Sequence, residues 1–397
     1  MNVDNIRKDF PLLQQVRNGK PLIYFDNACV TLRPKQVINA MNEYYENFPV
    51  CTRSSYRLGA LVTEKYEKSR ENIAKFLNAK TNEIVFTRNT TEGINLVANS
   101  LNLHNGDIVL TTDKEHNSNL LPWQVLTNRG IRHEIVFSNR DNTFNMEEFE
   151  SKMNKNVKLV SMVHTSNLDG YTIPAEDIIK IAHDFGALVM LDGAQSVPHK
   201  KMNVKKMDCD FLAFSGHKAL GPSGIGCLYG KHELLETLGT FMLGGDTVSS
   251  STYETHKLLE PPEKFEAGLQ NYAGAIGLAE ALNYLDKIGL DNVEKHEQRL
   301  NTIITDSLFG IADIIGPSVE MRSGITSFNI NGIGYHEIAL MLDELANIMI
   351  RSGQHCVHSW FNAHKIDGSA RVSLYLYNTE EECKVFNDTI SKIIKLK

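Results

Sequence analysis

The sequence lacks any run of basic residues. Its 41 lysine and arginine residues against 48 aspartate and glutamate residues give a net charge of −7. A protein whose main partner is nucleic acid or an anionic membrane surface ordinarily carries a basic patch. The composition therefore argues against both as main partners.

Long apolar runs are absent as well. No window approaches the roughly 18 uninterrupted apolar residues that a membrane-spanning helix needs. The first residues, MNVDNIRKDFPLLQQV, lack the basic-then-apolar order of a signal peptide. We therefore expect a cytoplasmic protein without a membrane segment.

Cysteine is sparse and irregularly spaced. The six cysteines form no CxxC pair, which argues against a disulfide framework and a structural zinc site, and we predict no metal. We expect most of them to be small buried apolar residues. They are Cys29, Cys51, Cys209, Cys227, Cys356 and Cys383.

A chain of 397 residues is long enough for two domains. From Glu83 onward strand and helix patterns alternate, which predicts an α/β fold with a mostly parallel sheet. We place a large domain over residues 16–290, and a smaller α+β domain over 1–15 together with 291–397. Residues 1–15 are predicted as a short amphipathic helix with Asp4 at its N-cap.

Polar residues follow several predicted strands of the large domain. They are His116, Asn167, Asp192, Gln195 and Lys218. Open α/β sheets bind their ligands at this edge. Because Asp192 follows a buried apolar run, its charge needs a partner, and a pyridinium N–H supplies one. Gln195 or Asn167 could bond the hydroxyl of such a pyridine ring. His116 could stack on the ring and exchange protons as a catalytic residue, although a lone loop histidine is more often a surface residue.

The stretch from Asp210 to Gly226 gives the clearest chemical signal. An apolar strand ends at Ser215, and Lys218 lies beside His217 in the glycine-rich loop that follows. A lysine held there can form a Schiff base with an aldehyde, while Ser215 and His217 can bond an anion. Pyridoxal phosphate meets both requirements. The alternative is an ordinary surface lysine in a glycine-rich turn.

A phosphate seat is predicted where the helix after strand 83–87 begins. Thr90 and Thr91 would place hydroxyls beside the unpaired N–H groups and the positive end of the helix dipole. Without Lys218, a simple capping role for the threonines would be about as good an interpretation.

Near the C-terminus a predicted strand ends at Arg351, and Cys356 follows in a loop with Gly353 and His355. Such surroundings favour the thiolate form of a cysteine; an inert loop cysteine is the alternative. Arg371, on the next strand, carries the rigid guanidinium fork that can hold a carboxylate by two bonds.

Taken together, these segments resemble the SufS-like, or group II, branch of the cysteine desulfurases in the class V aminotransferase family, which also includes selenocysteine lyases. The order and spacing of so many segments are far more specific than any single motif. The segments run from DFPLL and FDNA through TTEGINLVANS (90–100), EHNSNLLPW (115–123), LDGAQSVPH (191–199), SGHKALGPSGIG (215–226), FEAG (265–268) and RSGQHC (351–356) to ARVSLYLYNTEEE (370–382).

The resemblance implies a fold-type I pyridoxal-phosphate enzyme that is a homodimer, and it implies roles for individual residues. Lys218 would hold the cofactor and Cys356 would accept sulfur. Arg371, with Arg351 as a second candidate and Asn167 nearby, would take the substrate carboxylate. The implied cofactor contacts are Thr90, Thr91, His116, Asn167, Asp192, Gln195, Ser215, His217 and Lys218.

The implied reaction converts L-cysteine to L-alanine and leaves a persulfide on Cys356. That sulfur would supply iron–sulfur cluster or other sulfur-cofactor synthesis, through a SufE-like or SufU-like protein or the cluster scaffold itself. The alternatives are a selenocysteine lyase, a plain class V aminotransferase or epimerase, and a non-catalytic protein that keeps the fold. Retention of Lys218, Asp192, Cys356 and Arg371 together argues against the last.

Three positions depart from the family pattern. Leu269 follows FEAG where the family usually has Thr-Pro, and it cannot make the threonine's bond to the phosphate of the neighbouring subunit. Gln270, Asn271 or a water is left to replace that bond. Tyr56 stands where many relatives carry histidine, and Gln354 replaces the first histidine of a frequent His-His pair before the cysteine.

Overall fold

The computed structural model describes residues 1–396 of the protein. Its strands, in chain order, are β1 (Val16–Arg17), β2 (Lys20–Pro21), β3 (Ile23–Tyr24), β4 (Ile84–Thr87), β5 (Ile108–Thr112), β6 (Arg132–Val136), β7 (Val157–Val163), β8 (Leu188–Asp192), β9 (Phe211–Ser215), β10 (Gly226–Gly230), β11 (Val248–Ser251), β12 (His256–Leu258), β13 (Asp313–Ile315), β14 (Ile325–Asn329), β15 (Ile348–Met349), β16 (Arg351–Gly353) and β17 (Ser369–Ser373). Its α-helices are α1 (Val3–Arg7), α2 (Lys35–Asn47), α3 (Arg57–Leu77), α4 (Thr90–Ser100), α5 (Asn117–Leu126), α6 (Met146–Lys152), α7 (Ala175–Asp184), α8 (Val204–Met207), α9 (His232–Thr237), α10 (Tyr272–Ile288), α11 (Leu290–Leu308), α12 (Tyr335–Ala346), α13 (His358–His364) and α14 (Glu380–Lys395).

A seven-stranded sheet forms the centre of the fold, in the order β4-β10-β9-β8-β7-β5-β6. Strand β10 is antiparallel to both of its neighbours, and the other pairs are parallel. Successive residues of a strand point to opposite faces, so Val109 packs in one apolar core and Leu110 in the other. A sheet buried on both faces requires the continuous apolar strands that the sequence contains. The expected α/β class with a mostly parallel sheet is confirmed.

A second, antiparallel sheet has the order β13-β14-β17-β16. Its apolar core joins Phe328 and Val372 of the sheet to Leu300, Leu342 and Phe386 of helices α11, α12 and α14. Strand β3 pairs in parallel with β15, which attaches the N-terminal segment to this part of the molecule. The division of the chain near residue 290 stays a prediction.

The N-terminal helix is shorter than predicted over residues 1–15. Helix α1 ends at Arg7, and its N-cap is Asn2 rather than Asp4, because the Asn2 side chain accepts a hydrogen bond from Asn5 N at 3.1 Å. Pro11 then begins a separate 3-10 turn, since a proline has no N–H with which to continue a helix.

None of the helices within residues 1–396 is long and apolar enough to cross a membrane.

Glu266, in the FEAG segment, is a buried carboxylate that ties helix α3 to the edge of the large sheet. It accepts hydrogen bonds from Arg70 Nη1 at 2.6 Å, Arg70 Nη2 at 2.9 Å, Tyr66 OH at 3.0 Å and the backbone N–H of Phe86 at 2.7 Å. Arg70 is itself buried. Removal of either charge would leave the other uncompensated inside the protein.

We expect Glu266→Gln to lower the free energy of unfolding by about 3–5 kcal/mol, because the Arg70 guanidinium loses its buried counter-charge. The control is Glu71→Gln, which breaks the exposed pair with Lys68 at 2.8 Å and should cost about 0–1 kcal/mol. Urea unfolding followed by circular dichroism measures both. Equal losses in the two variants would contradict a structural role for Glu266.

Candidate active site

A cavity of about 520 Å³ lies beyond the carboxyl ends of strands β5, β7, β8 and β9, next to the loops of the smaller sheet. The structure brings every residue predicted for the cofactor or substrate to its wall. These residues are Thr90, Thr91, His116, Asn167, Asp192, Gln195, Ser215, His217, Lys218, Arg351, Cys356 and Arg371. Parallel strands gather their carboxyl ends at one edge, which is why residues so distant in sequence meet there. Their individual roles stay predictions.

Lys218 ends a 3-10 turn that directly follows strand β9. The turn is closed by Gly216, whose N–H donates to Ile225 O at 2.9 Å. A Cβ on Gly216 would lie 2.9 Å from that same oxygen, so the close approach requires glycine. Burial lowers the pKa of Lys218, with Asp192 opposing and Arg371 assisting the shift. The lysine is thus an amine held near a buried carboxylate and a buried cation.

Asp192 ends strand β8 and is buried. Its Oδ1 accepts a hydrogen bond from Ala194 N at 2.9 Å, and no cation within the described chain forms a salt bridge with it. Burial raises the pKa of Asp192, against the pull of the Ala194 N–H and of Lys218. The carboxylate therefore has room for one more strong donor.

Gln195 leaves a second polar atom open beside Asp192. Its Nε2 donates to Ala28 O at 2.7 Å, while its Oε1 is buried without a partner among the described residues. A pyridine ring with a protonated nitrogen and a neighbouring hydroxyl would supply donors to Asp192 and to Gln195 Oε1. These residues fit the ring of pyridoxal phosphate.

Hydroxyl groups cluster at the N-terminus of helix α4. Ser215 Oγ lies 2.9 Å from Thr90 N, which donates to it, and 2.7 Å from Thr90 Oγ1. Thr91 Oγ1 lies 2.7 Å from Ser118 Oγ. The pKa of His217 is lowered to about 4, mainly by burial and to a smaller extent by the positive charges of Lys218 and Arg33. Hydroxyls at a helix N-terminus suit a phosphate, so this wall fits the other end of the cofactor.

His116 is the N-cap of helix α5, and its Nδ1 accepts a hydrogen bond from Ser118 N at 3.1 Å. Burial, together with Lys218, Arg371 and His358, lowers its pKa to about 3. The ring is therefore neutral at physiological pH.

Glu115, directly before His116, supports the site from behind the cavity wall and was not predicted from the sequence. It is buried and accepts hydrogen bonds from Thr112 Oγ1 and Asn119 Nδ2, both at 2.7 Å, and from Val163 N at 2.9 Å. Burial raises its pKa to about 8 against these donors. Glu115 thereby ties the ends of β5 and β7 to the start of α5, which fixes the position of His116. A charged residue beside a loop histidine carries no sequence signal of burial.

Arg371, on strand β17, is buried and faces two other parts of the chain. Its Nη1 donates to Asn167 O at 2.9 Å, and its Nη2 lies 3.6 Å from Asp26 Oδ1. Arg351 Nε lies 3.3 Å from Asp26 Oδ2. Asp26 was not predicted as part of the site. Burial raises the pKa of the Asp26 carboxyl group, and the guanidinium groups of Arg371 and Arg351 oppose this shift. Arg351 and Arg371 share the single carboxylate of Asp26, so these three side chains together carry a net positive charge. Such a cluster suits a substrate carboxylate.

Cys356 is exposed on the loop between β16 and α13. The loop adopts positive φ at His355 (51°) and Cys356 (59°), a conformation that non-glycine residues rarely adopt. It is held by Asn167 Nδ2, which donates to His355 O at 2.7 Å, and by Asn117 N, which donates to Cys356 O at 2.8 Å. The thiol thus projects from a fixed turn rather than from a long free loop.

His355, directly before this thiol, is buried and carries no positive charge. Burial, then Arg371 and Arg351, lower its pKa to about 2. Its Nε2 lies 2.8 Å from Ser369 Oγ. The ring is a neutral, packed anchor of the loop, because a second charge so close to Arg371 would be repelled.

The positions that depart from the family pattern lie in well-defined local structure. Leu269 is 74% exposed. The Gln270 amide donates to Glu266 O at 2.8 Å, and Asn271 caps helix α10 by accepting from Gly274 N at 2.9 Å. The Asn271 amide also donates to Gly224 O at 3.1 Å, in the loop that follows Lys218, so both amides are already engaged within the chain. Tyr56 is the exposed N-cap of α3, and Gln354 lines the cavity.

The family described as Aminotransferase class-V matches residues 23–386. A probable cysteine desulfurase from Pyrococcus abyssi is 41% identical over 399 residues, which cover 99% of this chain and 98% of that protein. The apo structure of a cysteine desulfurase from Thermococcus onnurineus NA1 has a TM-score of 0.95 at 40% identity and covers 99% of this chain and 98% of its own. The cysteine desulfurase CsdA (S-sulfonic acid) from Escherichia coli has a TM-score of 0.92 at 31% identity, with coverages of 100% and 99%. These similarities confirm the fold class expected from the sequence.

Asn167→Asp should loosen the cysteine loop, because the variant replaces the donor to His355 O with a carboxylate oxygen that repels it. We expect amide hydrogen exchange at Asn117 and Val357 to accelerate by about tenfold or more, because this is the effect expected from the loss of one buried hydrogen bond. The control is Asn99→Asp, which removes a similar bond of 2.8 Å to Asn95 O on the surface of α4. Unchanged exchange in Asn167→Asp would show that other contacts hold the loop.

Proposed function

The chain belongs to the aminotransferase class-V family, and on this premise we propose that it is a cysteine desulfurase. The reaction converts L-cysteine and the Cys356 thiol to L-alanine and a Cys356 persulfide. The substrate Cβ–S bond breaks and one S–S bond forms, with no net gain or loss of atoms. The observation that carries the proposal is the single cavity whose wall contains Lys218, Asp192, Arg371 and Cys356.

The protein is a pyridoxal-phosphate enzyme of fold type I. When bound, the cofactor supplies an electron sink for the negative charge that develops at the substrate Cα. Asp192 and Gln195 Oε1 would hold the ring, and Asp192 would keep its nitrogen protonated. Thr90, Thr91 and Ser215 would bond the phosphate, with His217 beside them.

Lys218 would attach the cofactor and move the proton of the substrate Cα. A base must be an unprotonated amine part of the time, and burial lowers the pKa of Lys218 toward that state. The opposing effect of Asp192 weakens once its carboxylate pairs with a pyridinium. His116, neutral because its pKa is about 3, would stack on the ring without adding a charge.

Arg371 would bind the substrate carboxylate. Its Nε has no partner among the described residues, although the side chain is buried. A carboxylate that accepts a hydrogen bond from Nε would satisfy this donor. It would also neutralise the positive charge of the two arginines that Asp26 alone does not compensate. Asn167 Oδ1 is also buried without a described partner, which supports a place for Asn167 beside the substrate. Arg351 is the second candidate for the carboxylate.

Cys356 would take the sulfur. A thiolate is the natural acceptor, because attacking and accepted atoms are both sulfur. The turn that holds Cys356 is bonded to Asn167, whose carbonyl is bonded to Arg371. The thiol and the carboxylate site therefore keep a fixed relation to each other, as a nucleophile and an oriented substrate require.

We further propose that the exposed Cys356 passes its sulfur to a protein acceptor, either SufE-like, SufU-like or the cluster scaffold, in the cytoplasm. The sulfur would serve iron–sulfur cluster or other sulfur-cofactor synthesis.

A homodimer is also proposed. The loops that carry Leu243 and Leu269 are joined by Gly268 N donating to Gly245 O at 2.8 Å. Both leucines are exposed, by 50% and 74%, and a subunit interface would cover them. We therefore expect light scattering to give about twice the chain mass of 44.6 kDa. A mass of one chain at micromolar concentration would contradict this proposal.

Cys356→Ser should reduce alanine formation from L-cysteine by on the order of a thousandfold or more, since the sulfur has no acceptor. Chromatography of the amino-acid product measures the rate. Wild-type protein treated with L-cysteine should carry one added sulfur on the Cys356 peptide by mass spectrometry.

Lys218→Ala is the matched control for this experiment. Borohydride reduction should fix the cofactor on wild-type protein and on Cys356→Ser, but not on Lys218→Ala, so a lost cofactor is distinguished from a lost thiol. Full desulfuration by Cys356→Ser would show that the proposed acceptor is wrong.

A further inference from the structure

Cys29 is a second thiol on the wall of the cavity that contains Cys356. Most of the six cysteines were expected to be buried, and Cys29 is only partly covered. None of the roles proposed above uses it.

The chain topology brings the two thiols to one place. Strands β3 and β15 pair in parallel, with Tyr24 opposite Met349. Cys29 lies five residues beyond Tyr24, and Cys356 lies seven beyond Met349. The segments that follow β3 and β15 therefore each place one cysteine at the wall of the same cavity.

Arg351 connects the two segments. It begins strand β16, which leads into the Cys356 loop, and its Nη2 donates to Cys29 Sγ. Its Nε lies 3.3 Å from Asp26 Oδ2, which orients the guanidinium. The guanidinium therefore places a positive charge directly beside the Cys29 sulfur. The arginine expected to assist Cys356 thus faces Cys29.

The backbone around Cys29 is firmly held. Cys29 N donates to Asp26 O at 3.2 Å, and Ala28 N donates to Ser373 Oγ at 2.9 Å. The thiol therefore stays at the cavity wall, and Cys356 lines the same cavity.

The other cysteines have different surroundings. Cys209, Cys227 and Cys383 are buried, and burial raises the pKa of Cys209 and of Cys383 to about 12. Cys51 is exposed outside the cavity, with its Sγ 3.9 Å from Tyr272 OH. Cys51 is consequently a suitable reference for non-specific sulfur uptake.

We propose that Cys29 is a second sulfur-carrying site, loaded from the Cys356 persulfide. The Cys29 thiolate attacks the outer sulfur of that persulfide. The S–S bond to Cys356 Sγ breaks, a new S–S bond forms to Cys29 Sγ, and Cys356 leaves as a thiolate. The exchange needs no oxidant or reductant, because one thiolate replaces another. This inference rests on the proposed desulfurase function.

The consequence is a chain that stores sulfur on a thiol less exposed than Cys356. Transfer to Cys29 frees Cys356 to accept sulfur from a second substrate. Without an acceptor or a reductant, the wild-type chain should therefore hold about twice as much persulfide sulfur as Cys29→Ala, since both thiols can be loaded by exchange.

The test uses holoenzyme incubated with L-cysteine and no reductant, then alkylated, digested without reduction and analysed by mass spectrometry. One added sulfur should appear on the Cys356 and Cys29 peptides and not on the Cys51 peptide. In Cys29→Ala the sulfur should remain on Cys356. In Cys356→Ser the Cys29 peptide should carry none, because its source is lost. Cyanolysis measures total persulfide sulfur in each protein.

Three results would overturn the inference: no more sulfur on Cys29 than on Cys51, equal labelling of Cys29 in wild type and Cys356→Ser, or a disulfide between Cys29 and Cys356 with release of sulfide. Failure of the desulfurase proposal itself is distinguishable, since neither alanine nor an adduct on Cys356 would then form.

Discussion

The buried guanidinium of Arg371 joins three distant parts of the chain. It projects from the smaller sheet, donates to the Asn167 carbonyl beyond a strand of the larger sheet, and faces Asp26 of the N-terminal segment. A buried cation requires compensation, and here the compensation comes from elements far apart in sequence. The Asn27 side chain reinforces the junction by donating to Ser373 O at 2.7 Å. The site therefore depends on the docking of all three parts and belongs to none of them alone.

Burial pushes the ionisable groups around the cavity toward their neutral forms. It lowers the pKa of Lys218 and of His116 and raises that of Asp192. The charged forms of these groups are therefore less stable in the folded protein than in water. This is common at sites where a bound ligand supplies the missing hydrogen-bond or charge partners. A ring nitrogen for Asp192 and a carboxylate for Arg371 are the complements that pyridoxal phosphate and an amino acid bring.

The sequence predicts those parts of the site that come from local patterns. Asp192 and Lys218 follow apolar strands, and a parallel sheet must gather such strand ends at one edge. Asp26, Cys29 and Glu115 could not be predicted in the same way. The first two reach the site through the pairing of β3 with β15, more than three hundred residues away in sequence. Glu115 becomes part of it only through bonds to Thr112, Asn119 and Val163. Likewise, the burial of His355 is set by the three-dimensional packing around Arg371 and has no local sequence signal.

Asn167 connects Arg371 to the turn that carries the Cys356 thiol. Its carbonyl accepts from Arg371, while its side-chain amide donates to the carbonyl of His355. Positive φ at two successive non-glycine residues, His355 and Cys356, has a conformational cost that the surrounding bonds must offset. One of those bonds comes from Asn167, whose carbonyl also accepts a hydrogen bond from the Arg371 guanidinium. Asn167 therefore links the guanidinium of Arg371 to the turn that carries Cys356, so the positions of both side chains depend on the same residue.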